Sequence, residues 1–359
     1  MWSYSHSSAM LTEQGDFHLW GSNKQGQLGF SSGSSQTDSI PLILPLKIKV
    51  EHAALGHNHT LVIEKETGDL YCFGENKRGQ VTGKPMSPEF LAEPFKIEVG
   101  EKVTDVACGV FHSAAVTESG ALITFGCNRF NQSISVHEEI STGVNTGNHP
   151  ILGSWMPHDG SRLVKVSCGH RHTLALDEHG RVWSLGNNKY GQMGRRVADR
   201  RTDAPELVSG YLGQKGSGCI DIECGWSHNI ALVESADSKT VIYGWGRNDR
   251  SQLGLDSENS FFDEPTSLLY KHPLQGKVIR NFSCGAESIM MQDEDGQIYG
   301  SGWNEHGNLS TGDAVNVGEI RKINGSVRKG IPHLFDTNEE NRNLILAAGG
   351  AHFLLMRTS

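Results

Sequence analysis

Two short motifs alternate along the whole chain at one common spacing, and this repetition limits the fold more than any other feature. One motif is Trp-Gly-x-Asn or a close variant, and its glycines are Gly21, Gly74, Gly126, Gly186, Gly246 and Gly302. Successive glycines are 53, 52, 60, 60 and 56 residues apart. The other motif is Gly-x-x-His, which lies between copies of the first. Two independent motifs with one period are the sequence signature of a repeat protein.

The Gly-x-x-His motif has more copies than its companion. Its histidines are His59, His112, His172, His228 and His352, and a degenerate copy that begins at Gly285 has Ser288 instead. A partial copy at His6 brings the number to seven, against six copies of Trp-Gly-x-Asn. The first and last repeats are therefore expected to differ from the others.

Within one repeat, apolar and β-branched residues come in short runs separated by turn residues. Val103 to Cys108 and residues 112–117 predict two strands, Glu118-Ser119-Gly120 predicts a turn, and residues 121–125 predict a third strand. A short outer strand is expected near Gln132. No segment shows the 3.6-residue period of a helix. Four-stranded units repeated in this way are typical of an all-β propeller.

The paired motifs resemble those of the regulator of chromosome condensation family, from about Ser5 to Met356. Members of that family are seven-bladed propellers, so the resemblance implies a seven-fold ring. The unequal motif numbers predict an incomplete closing seam, with a closed ring of six blades as the alternative. We expect one propeller domain over residues 1–359, with six full repeats and a partial N-terminal repeat. An upstream start that this sequence omits also fits the pattern.

Composition narrows the function classes. The chain has 32 Lys plus Arg and 41 Asp plus Glu, a net charge of −9, which argues against a dominant nucleic-acid role. No basic and apolar leader follows Met1, and no run approaches the roughly 20 apolar residues of a membrane helix. The seven cysteines include no Cys-x-x-Cys pair. We expect a monomeric protein of the cytoplasm, the nucleus or both, without a membrane segment and with reduced thiols.

The segment Cys168-Gly169-His170-Arg171-His172 is the strongest candidate for a metal site, because thiolate and imidazole are zinc ligands. The same Cys-Gly-x-x-His pattern recurs at Cys108–His112 and Cys224–His228, in different repeats. Four ligands cannot converge from positions that are spread around a ring, so no metal site is expected. We predict instead that His59, His112, His172 and His228 are equivalent, buried and hydrogen-bonded to the backbone. Gly126 and Gly186 are predicted to need glycine for a special φ or for clearance.

The sequence contains no complete catalytic or nucleotide-binding motif. The stretch from Gly79 to Lys84 is one residue short of a P-loop, and Pro85 stands where Ser or Thr is required. There is no Gly-x-Ser-x-Gly and no His-Glu-x-x-His. The sequence therefore predicts neither an enzyme nor a cofactor site.

Two loop regions could carry a partner contact. Arg195, Arg196, Arg200 and Arg201 form the densest basic patch, which is either a solvated loop or a contact for an acidic partner. The stretch from Ser133 to Gly160 is longer and less regular than its counterparts. It contains His137, His149, Trp155 and His158. Long loops on a rigid scaffold are common places for function.

The resemblance implies several functions. The founding member of the family is a guanine-nucleotide exchange factor for the GTPase Ran, and such a factor needs no catalytic triad. The plant ultraviolet receptor uses repeated Gly-Trp-Arg-His-Thr motifs, which only Gly225-Trp226-Ser227-His228 approaches, so light sensing is set aside.

A narrower resemblance points to the fungal alpha-tubulin suppressor, also known as a killer-toxin-insensitivity propeller. It rests on Tyr243 to Asn248, Gln252-Leu253, Glu264-Pro265, Tyr270 and Trp303 to Asn308. It implies a protein partner, the small zinc protein of diphthamide synthesis, and through it a role in Elongator-dependent tRNA wobble-uridine modification. Direct nucleic-acid binding is not expected.

The predicted partner-binding residues lie in the loops of two adjacent repeats. They are Trp226, Trp245, Arg247, Asp249, Trp303, Glu305 and His306. Exposed tryptophans are frequent anchors of interfaces, although some of these must pack between blades. The net charge of −9 favours the encounter with a basic partner or a basic segment of one.

Overall fold

The computed structural model of the protein describes residues 2–4, 7–31, 37–44, 48–85, 89–134, 152–196, 204–209, 212, 217–234, 240–255, 258–269, 273–323, 344–348 and 353–357. Regular structure in these ranges consists of 26 strands. No helix within them is long and apolar enough to cross a membrane.

Six antiparallel four-stranded sheets follow one another along the described chain, and we call them blades 1 to 6. Blade 1 has β1 (Trp2–Tyr4), β2 (Ser7–Leu11), β3 (Phe17–Ser22) and β4 (Thr37–Ile43). Blade 2 has β5 (Val50–Leu55), β6 (His59–Glu64), β7 (Leu70–Glu75) and β8 (Phe90–Ile97). Blade 3 has β9 (Val103–Cys108), β10 (His112–Thr117), β11 (Leu122–Gly126) and β12 (Gly153–Trp155).

The other three blades repeat this order. Blade 4 has β13 (Leu163–Cys168), β14 (His172–Asp177), β15 (Val182–Gly186) and β16 (Glu206–Leu207). Blade 5 has β17 (Gly218–Cys224), β18 (His228–Glu234), β19 (Thr240–Arg247) and β20 (Phe261–Ser267). Blade 6 has β21 (Ile279–Cys284), β22 (Ser288–Asp293), β23 (Ile298–Gly302) and β24 (Val317–Lys322). A separate two-stranded sheet pairs β25 (Leu344–Ala348) with β26 (Phe353–Arg357).

The first strand of each blade lies at the centre of the ring. The first strands contact one another in chain order, from β1 through β5, β9, β13 and β17 to β21. Strand β25 contacts both β21 and β1, so the two-stranded sheet lies between blade 6 and blade 1. Apolar side chains fill the spaces between neighbouring blades, as where Val116 of blade 3 packs in one cluster with Val166 and Leu185 of blade 4.

The all-β propeller of four-stranded blades is confirmed, whereas the seven-fold type is not, because the described strands form six such blades. Blade 1, the expected partial repeat, has four strands, and the two-stranded sheet is formed by the last two strands. His6, Gly349 and His352 lie outside the described residues. Ser7 pairs with Gly21 as His59 pairs with Gly74, so Ser7 takes the histidine position in blade 1.

The prediction of an outer strand near Gln132 is wrong. The fourth strand of blade 3 is β12, and Gln132 is a buried loop residue whose Oε1 accepts a hydrogen bond from Phe130 N at 2.8 Å. The glutamines at the equivalent loop position in blades 1, 2, 4 and 5 accept the same main-chain bond; they are Gln27, Gln80, Gln192 and Gln252. The side chain therefore braces the loop and forms no part of a sheet.

The asparagine of Trp-Gly-x-Asn folds the same loop in every blade. Its Oδ1 accepts a hydrogen bond from the main-chain N five residues later, at 2.7–3.1 Å. The six residues are Asn23, Asn76, Asn128, Asn188, Asn248 and Asn304. The six loops are therefore held in one conformation, and the residues between asparagine and glutamine are presented outward on a rigid frame.

The glycine of the same motif has no room for a side chain. Gly186 has φ +121°, and a Cβ there would lie 2.5 Å from the carbonyl oxygen of Arg171 and 2.6 Å from Cα of His172. Gly126 has φ +99°, and its Cβ would lie 2.7 Å from the carbonyl oxygen of Phe111. Both the φ and the clearance that the sequence predicts for Gly126 and Gly186 are present.

Replacing Gly186 with Ala should lower the free energy of unfolding by at least about 2 kcal/mol, because strain in φ adds to a backbone collision. Gly160 is the matched control, since it has φ +78° and no atom lies within 4 Å of the place that a Cβ would take. Gly160→Ala should therefore cost only about 1 kcal/mol. Urea unfolding of both variants measures the difference. Equal losses would show that clearance at Gly186 does not matter.

Candidate functional site

Two sets of connections emerge on the same side of the ring. Each blade is an antiparallel meander, so the turn after its first strand and the loop after its third strand lie on one side. We call this side the turn face. The Gly-x-x-His turns surround its axis, and the Trp-Gly-x-Asn loops lie outside them.

Main-chain hydrogen bonds join the axial turns at three of the blade boundaries. His57 N donates to Gly109 O at 3.4 Å, His170 N to Trp226 O at 2.9 Å, and Trp226 N to Ala286 O at 3.0 Å. Each bond links one blade to the next. The centre of the turn face is therefore held by the backbone itself, whatever side chains the turns carry.

The histidine ring of each turn lies directly over the glycine of that turn. A Cβ on Gly169 would lie 2.1 Å from Cε1 of His172 and 2.6 Å from the carbonyl oxygen of Gly225 in the next blade. The same two neighbours crowd Gly56 and Gly109, and a histidine ring crowds Gly225. The motif needs glycine because the imidazole and the adjacent blade fill the space of any side chain.

Three of these histidines form a hydrogen bond with a side chain of the next blade. That side chain in turn donates a hydrogen bond to a main-chain carbonyl of the histidine's own blade. His59 Nε2 lies 3.0 Å from Ser113 Oγ, which donates its one proton to the carbonyl oxygen of Gln80 at 2.7 Å. Nε2 must therefore donate. The next pair repeats the arrangement, with His112 Nε2 3.0 Å from Thr173 Oγ1.

The bridge between blades 4 and 5 uses an amide. His172 Nε2 lies 2.7 Å from Asn229 Oδ1, and Asn229 Nδ2 donates to the carbonyl oxygen of Gln192 at 2.8 Å. At His59, His112 and His172 the predicted backbone bond is thus replaced by a bond to a side chain that itself reaches the backbone. Their equivalence and burial are as predicted, since His59, His112, His172 and His228 are at most 1% exposed.

His228 lacks this bridge. In blades 3 to 5 the bridging side chain belongs to the residue directly after the motif histidine, which is Ser113, Thr173 or Asn229. In blade 6 the corresponding residue, after Ser288, is Ile289, which cannot accept a hydrogen bond through its side chain. Both ring nitrogens of His228 are buried without a hydrogen-bond partner, although the main chain of Ser288 lies near enough to favour the protonated ring slightly. The contact between blades 5 and 6 therefore lacks the histidine bridge that links blades 2, 3, 4 and 5.

Burial keeps these imidazoles neutral. It lowers the pKa of His59, His112 and His228 to about 3 and the pKa of His172 to about 4. Charges on neighbouring imidazoles act in the same direction. A neutral ring with Nε2 protonated is the form that the three bridges require.

The candidate metal cluster does not form. Cys168 Sγ lies 3.8 Å from Thr173 Oγ1, His172 is engaged with Asn229, and His170 packs against Trp226 with 5.8 Å between ring centroids. Among the described residues no three His, Cys, Asp or Glu side chains are arranged to hold a metal ion. All seven cysteines are free thiols, and burial raises the pKa of six of them, which are Cys72, Cys108, Cys168, Cys219, Cys224 and Cys284.

Five of the predicted partner-binding residues form one continuous surface on blades 5 and 6. They are Arg247, Asp249, Trp303, Glu305 and His306. Arg247 binds Asp249 Oδ2 at 2.7 Å and reaches Glu287 Oε1 of blade 6 at 2.8 Å. Arg250 Nη1 lies 3.6 Å from Glu305 Oε1 across the same boundary, and the ring of Trp303 packs edge-on against His306 at 4.9 Å.

The two remaining tryptophans are placed differently. Trp226 lies half-buried in the axial turn of blade 5. Trp245 is fully buried between blades, where its Nε1 donates to the carbonyl oxygen of Gln192 at 3.1 Å. Its assignment to a partner surface is therefore wrong, because no partner can reach it in the folded protein.

The described residues of the two alternative loop regions do not add to this surface. Arg195 is buried and pairs with Glu206 Oε2 at 3.0 Å, Arg196 is exposed, and Arg200 and Arg201 lie outside the described residues. Trp155 packs against Trp183 at 5.1 Å in an edge-to-face contact, and His158 is exposed. His137 and His149 lie outside the described residues as well.

Further residues of the turn face, which the sequence did not predict as partner-binding, lie at the variable positions of the two motifs. Phe130, Lys189, Tyr190 and Arg250 lie between the asparagine and glutamine of their loops, and Arg171 lies just before a motif histidine. Aligning the repeats marks these positions, but only the meander shows that they share the turn face.

The chain matches the model of the RCC1-like domain over residues 4–356. It belongs to the RCC1-like domain family. The Arabidopsis thaliana ultraviolet-B receptor UVR8 is 28% identical over 85% of this chain and 68% of its own length. A zebrafish RCC2 homolog is 29% identical over 89% of this chain and 65% of its own. The chain thus spans about two thirds of these relatives, and 7% of human HERC2, a ubiquitin ligase.

Comparison with solved structures agrees on the fold. Prp20 from Saccharomyces cerevisiae, whose structure was described with its binding to Gsp1p and histones, superposes with a TM-score of 0.70. That alignment has 22% identity and covers 98% of this chain and 80% of Prp20. The family predicted from the two motifs is confirmed.

We expect His172→Ala to cost about 1–3 kcal/mol more in unfolding free energy than His228→Ala. Both leave the same cavity, but only the first leaves a buried hydrogen-bond partner, Asn229 Oδ1, unpaired. Chemical denaturation of the two variants gives the comparison. Unchanged stability of His172→Ala together with the loss of a bound metal would show that the residue is a ligand.

Stability should fall as the pH drops from 7 towards 5. The unfolded chain protonates its histidines near 6.5, whereas the four native rings stay neutral to about 3–4, so protons favour the unfolded state by up to about 1.4 kcal/mol per pH unit for each ring. Glu223 opposes this trend, because burial raises its pKa to about 7 and protons then favour the native state. Burial also raises the pKa of Asp105 and lowers the pKa of His52 and His170, so the histidines outweigh the carboxyls. Urea midpoints at pH 7, 6 and 5 test the sum, and a flat profile would contradict it.

Proposed function

We propose that the protein is a non-catalytic propeller scaffold that binds a partner protein through the turn face of blades 5 and 6. The observation that supports this most directly is the continuous surface from Arg247 to Glu305, which two ion pairs across the blade boundary hold together. Because the loops beneath it are fixed by buried asparagines, the surface is ordered before a partner arrives. Such preorganisation lowers the entropic cost of binding.

The chemistry of this surface suits protein recognition. Trp303 offers a partly exposed aromatic ring beside His306, and the carboxylates of Asp249 and Glu305 are 39% and 53% exposed. Aromatic anchors with charged residues around them are typical of binding hot spots. The two exposed carboxylates favour a basic segment of the partner.

Two partners are proposed from resemblance. The first is the small zinc protein of diphthamide synthesis, which would connect this scaffold to Elongator-dependent modification of tRNA wobble uridines. The second is a small GTPase, on which the scaffold would act as a guanine-nucleotide exchange factor by inserting a loop into the nucleotide site. Binding of Prp20 to Gsp1p supports the second candidate by analogy. Either role places the protein, as a monomer, in the cytoplasm or the nucleus.

For the closure of the ring we propose that β25 and β26 are the inner half of a seventh blade. Strand β25 contacts β21 and β1 in the way that each first strand contacts its neighbours. The proposal concerns the ring only and does not affect the partner surface on blades 5 and 6.

The partner is identified by affinity purification of the intact chain followed by mass spectrometry. Recovery of the small zinc protein supports the first role, and recovery of a nucleotide-free GTPase supports the second. Failure to recover either, together with no binding of the two purified proteins, would contradict both assignments.

Charge reversal locates the surface. In Asp249→Lys/Glu305→Lys, the association rate with the purified partner should fall about tenfold and depend less on salt, because steering is lost. Glu294→Lys/Asp295→Lys is the matched control. These two carboxylates also each face one cation, at 3.7 Å and 3.2 Å, but they lie on the opposite side of blade 6.

Trp303→Ala should act on dissociation instead, with a loss of about 2 kcal/mol in binding and no change in the association rate. Stopped-flow or surface-based kinetics separates the two rate constants. Equal effects of the two charge reversals would place the partner elsewhere on the ring.

A further inference from the structure

A second part of the turn face, on blades 3 and 4, combines cations with aromatic rings. The guanidinium carbon of Arg171 lies 4.3 Å from the centroid of the Phe130 ring, across the boundary between the two blades. Lys189 Nζ lies 4.9 Å from the centroid of Tyr190, and Arg247 of blade 5 approaches the same ring at 5.2 Å. We call Phe130, Arg171, Lys189 and Tyr190 the cation–aromatic patch.

The patch is continuous and held by the loop framework. The carbonyl oxygen of Arg171 accepts a hydrogen bond from Asn187 N at 2.9 Å, and Asn187 Oδ1 accepts one from Lys189 N at 2.7 Å. The turn that carries Arg171 also contains His170, which packs against Trp226. These bonds fix the main chain of Arg171 relative to that of Lys189, and cation–π contact with the rings holds their charged groups.

The charge of the patch is not balanced by the protein. Arg129 directly precedes Phe130 in the chain, so it lies beside the patch. Arg129, Arg171 and Lys189 are exposed, and none of these three cations pairs with a carboxylate in the part of the chain that the structure describes. On the neighbouring blade the situation is opposite, since Arg247 and Arg250 are both paired with acids. A local positive surface has thus been kept on a chain whose net charge is −9.

We propose that the cation–aromatic patch binds a short acidic segment of a partner protein, a segment rich in Asp and Glu. This deepens the proposed scaffold function and rests on it. A guanidinium held over a ring still has its planar N–H fork available to a carboxylate, and such bidentate pairs are among the strongest polar contacts. The partner of the turn face then carries opposite charges at two sites, basic against blades 5 and 6 and acidic against blades 3 and 4.

A nucleic acid fits the patch less well than an acidic peptide. Bases bind by stacking on open aromatic faces, but cations of the protein itself already cover Phe130 and Tyr190. Three unpaired cations can neutralise a few carboxylates, whereas the acidic remainder of the chain repels a longer polyanion.

The test uses the full chain and a fluorescein-labelled hexaglutamate peptide, with binding followed by fluorescence anisotropy. Arg171→Gln/Lys189→Gln should weaken the affinity at least fivefold. Arg280→Gln/Lys322→Gln has the same change in net charge on the side of blade 6 away from the turn face, and it should change the affinity less than twofold. Thermal melting of both variants verifies that they are folded.

Three results would overturn the proposal. They are the absence of saturable binding to the wild-type chain, equal weakening in both double variants, and tighter binding of a ten-nucleotide oligothymidine than of hexaglutamate. Asp249→Lys/Glu305→Lys should not weaken hexaglutamate binding. That variant separates a failure of this patch from a failure of the surface on blades 5 and 6.

Discussion

The contact on which the ring depends is that of an imidazole lying on the glycine of its own turn, against the backbone of the next blade. At Gly169 the ring of His172 and the carbonyl of Gly225 leave no space for a Cβ. The same imidazole carries the hydrogen bond to Asn229, so steric fit and polar bonding act at one place. At His228 the hydrogen bond to the next blade is missing, because Ile289 stands where the bridging residue would be, and only the packing of the ring on Gly225 remains.

The two sequence motifs meet within each blade. The motif histidine opens the second strand of a blade and pairs directly with the glycine that closes the third strand, as His112 does with Gly126 and His172 with Gly186. That glycine has positive φ, and the turn before the histidine lies against it, so a Cβ has no room there. Blades 1 and 6 have Ser7 and Ser288 in place of the histidine and keep the same pairing, with Gly21 and Gly302.

The separation between fixed and variable positions explains how one framework can bind particular partners. Asparagine, glutamine, glycine and histidine in the motifs are buried or partly buried and define where each loop lies. The residues between them point outward and differ from blade to blade. Arg171 and Tyr190 in blade 4 and Asp249 and Glu305 in blades 5 and 6 are such residues. They give the turn face a positive part and a negative part without changing the fold.

The period and the strand pattern predict much of this architecture, including Val103–Cys108 and His112–Thr117 with their observed bounds. Local patterns could not reveal that Gln132 braces a loop, because a buried polar side chain and a strand residue look alike in sequence. They also could not show that Trp245 is buried while Trp303 is accessible. Trp245 comes just before the motif glycine of blade 5 and Trp303 just after that of blade 6, so both belong to copies of the same motif. Burial of that kind depends on the neighbouring blade, which is more than 50 residues away in the chain.

Side-chain ¹⁵N NMR of the histidines during acid titration tests this account most directly. We expect His59, His112 and His172 to remain neutral with Nε2 protonated at pH 5, as the bonds to Ser113, Thr173 and Asn229 require. His228 should also stay neutral, but without the shift that a hydrogen bond to Nε2 produces. Four rings that titrate together near pH 6.5 would show solvated histidines, and the coupling of blades through them would then be wrong.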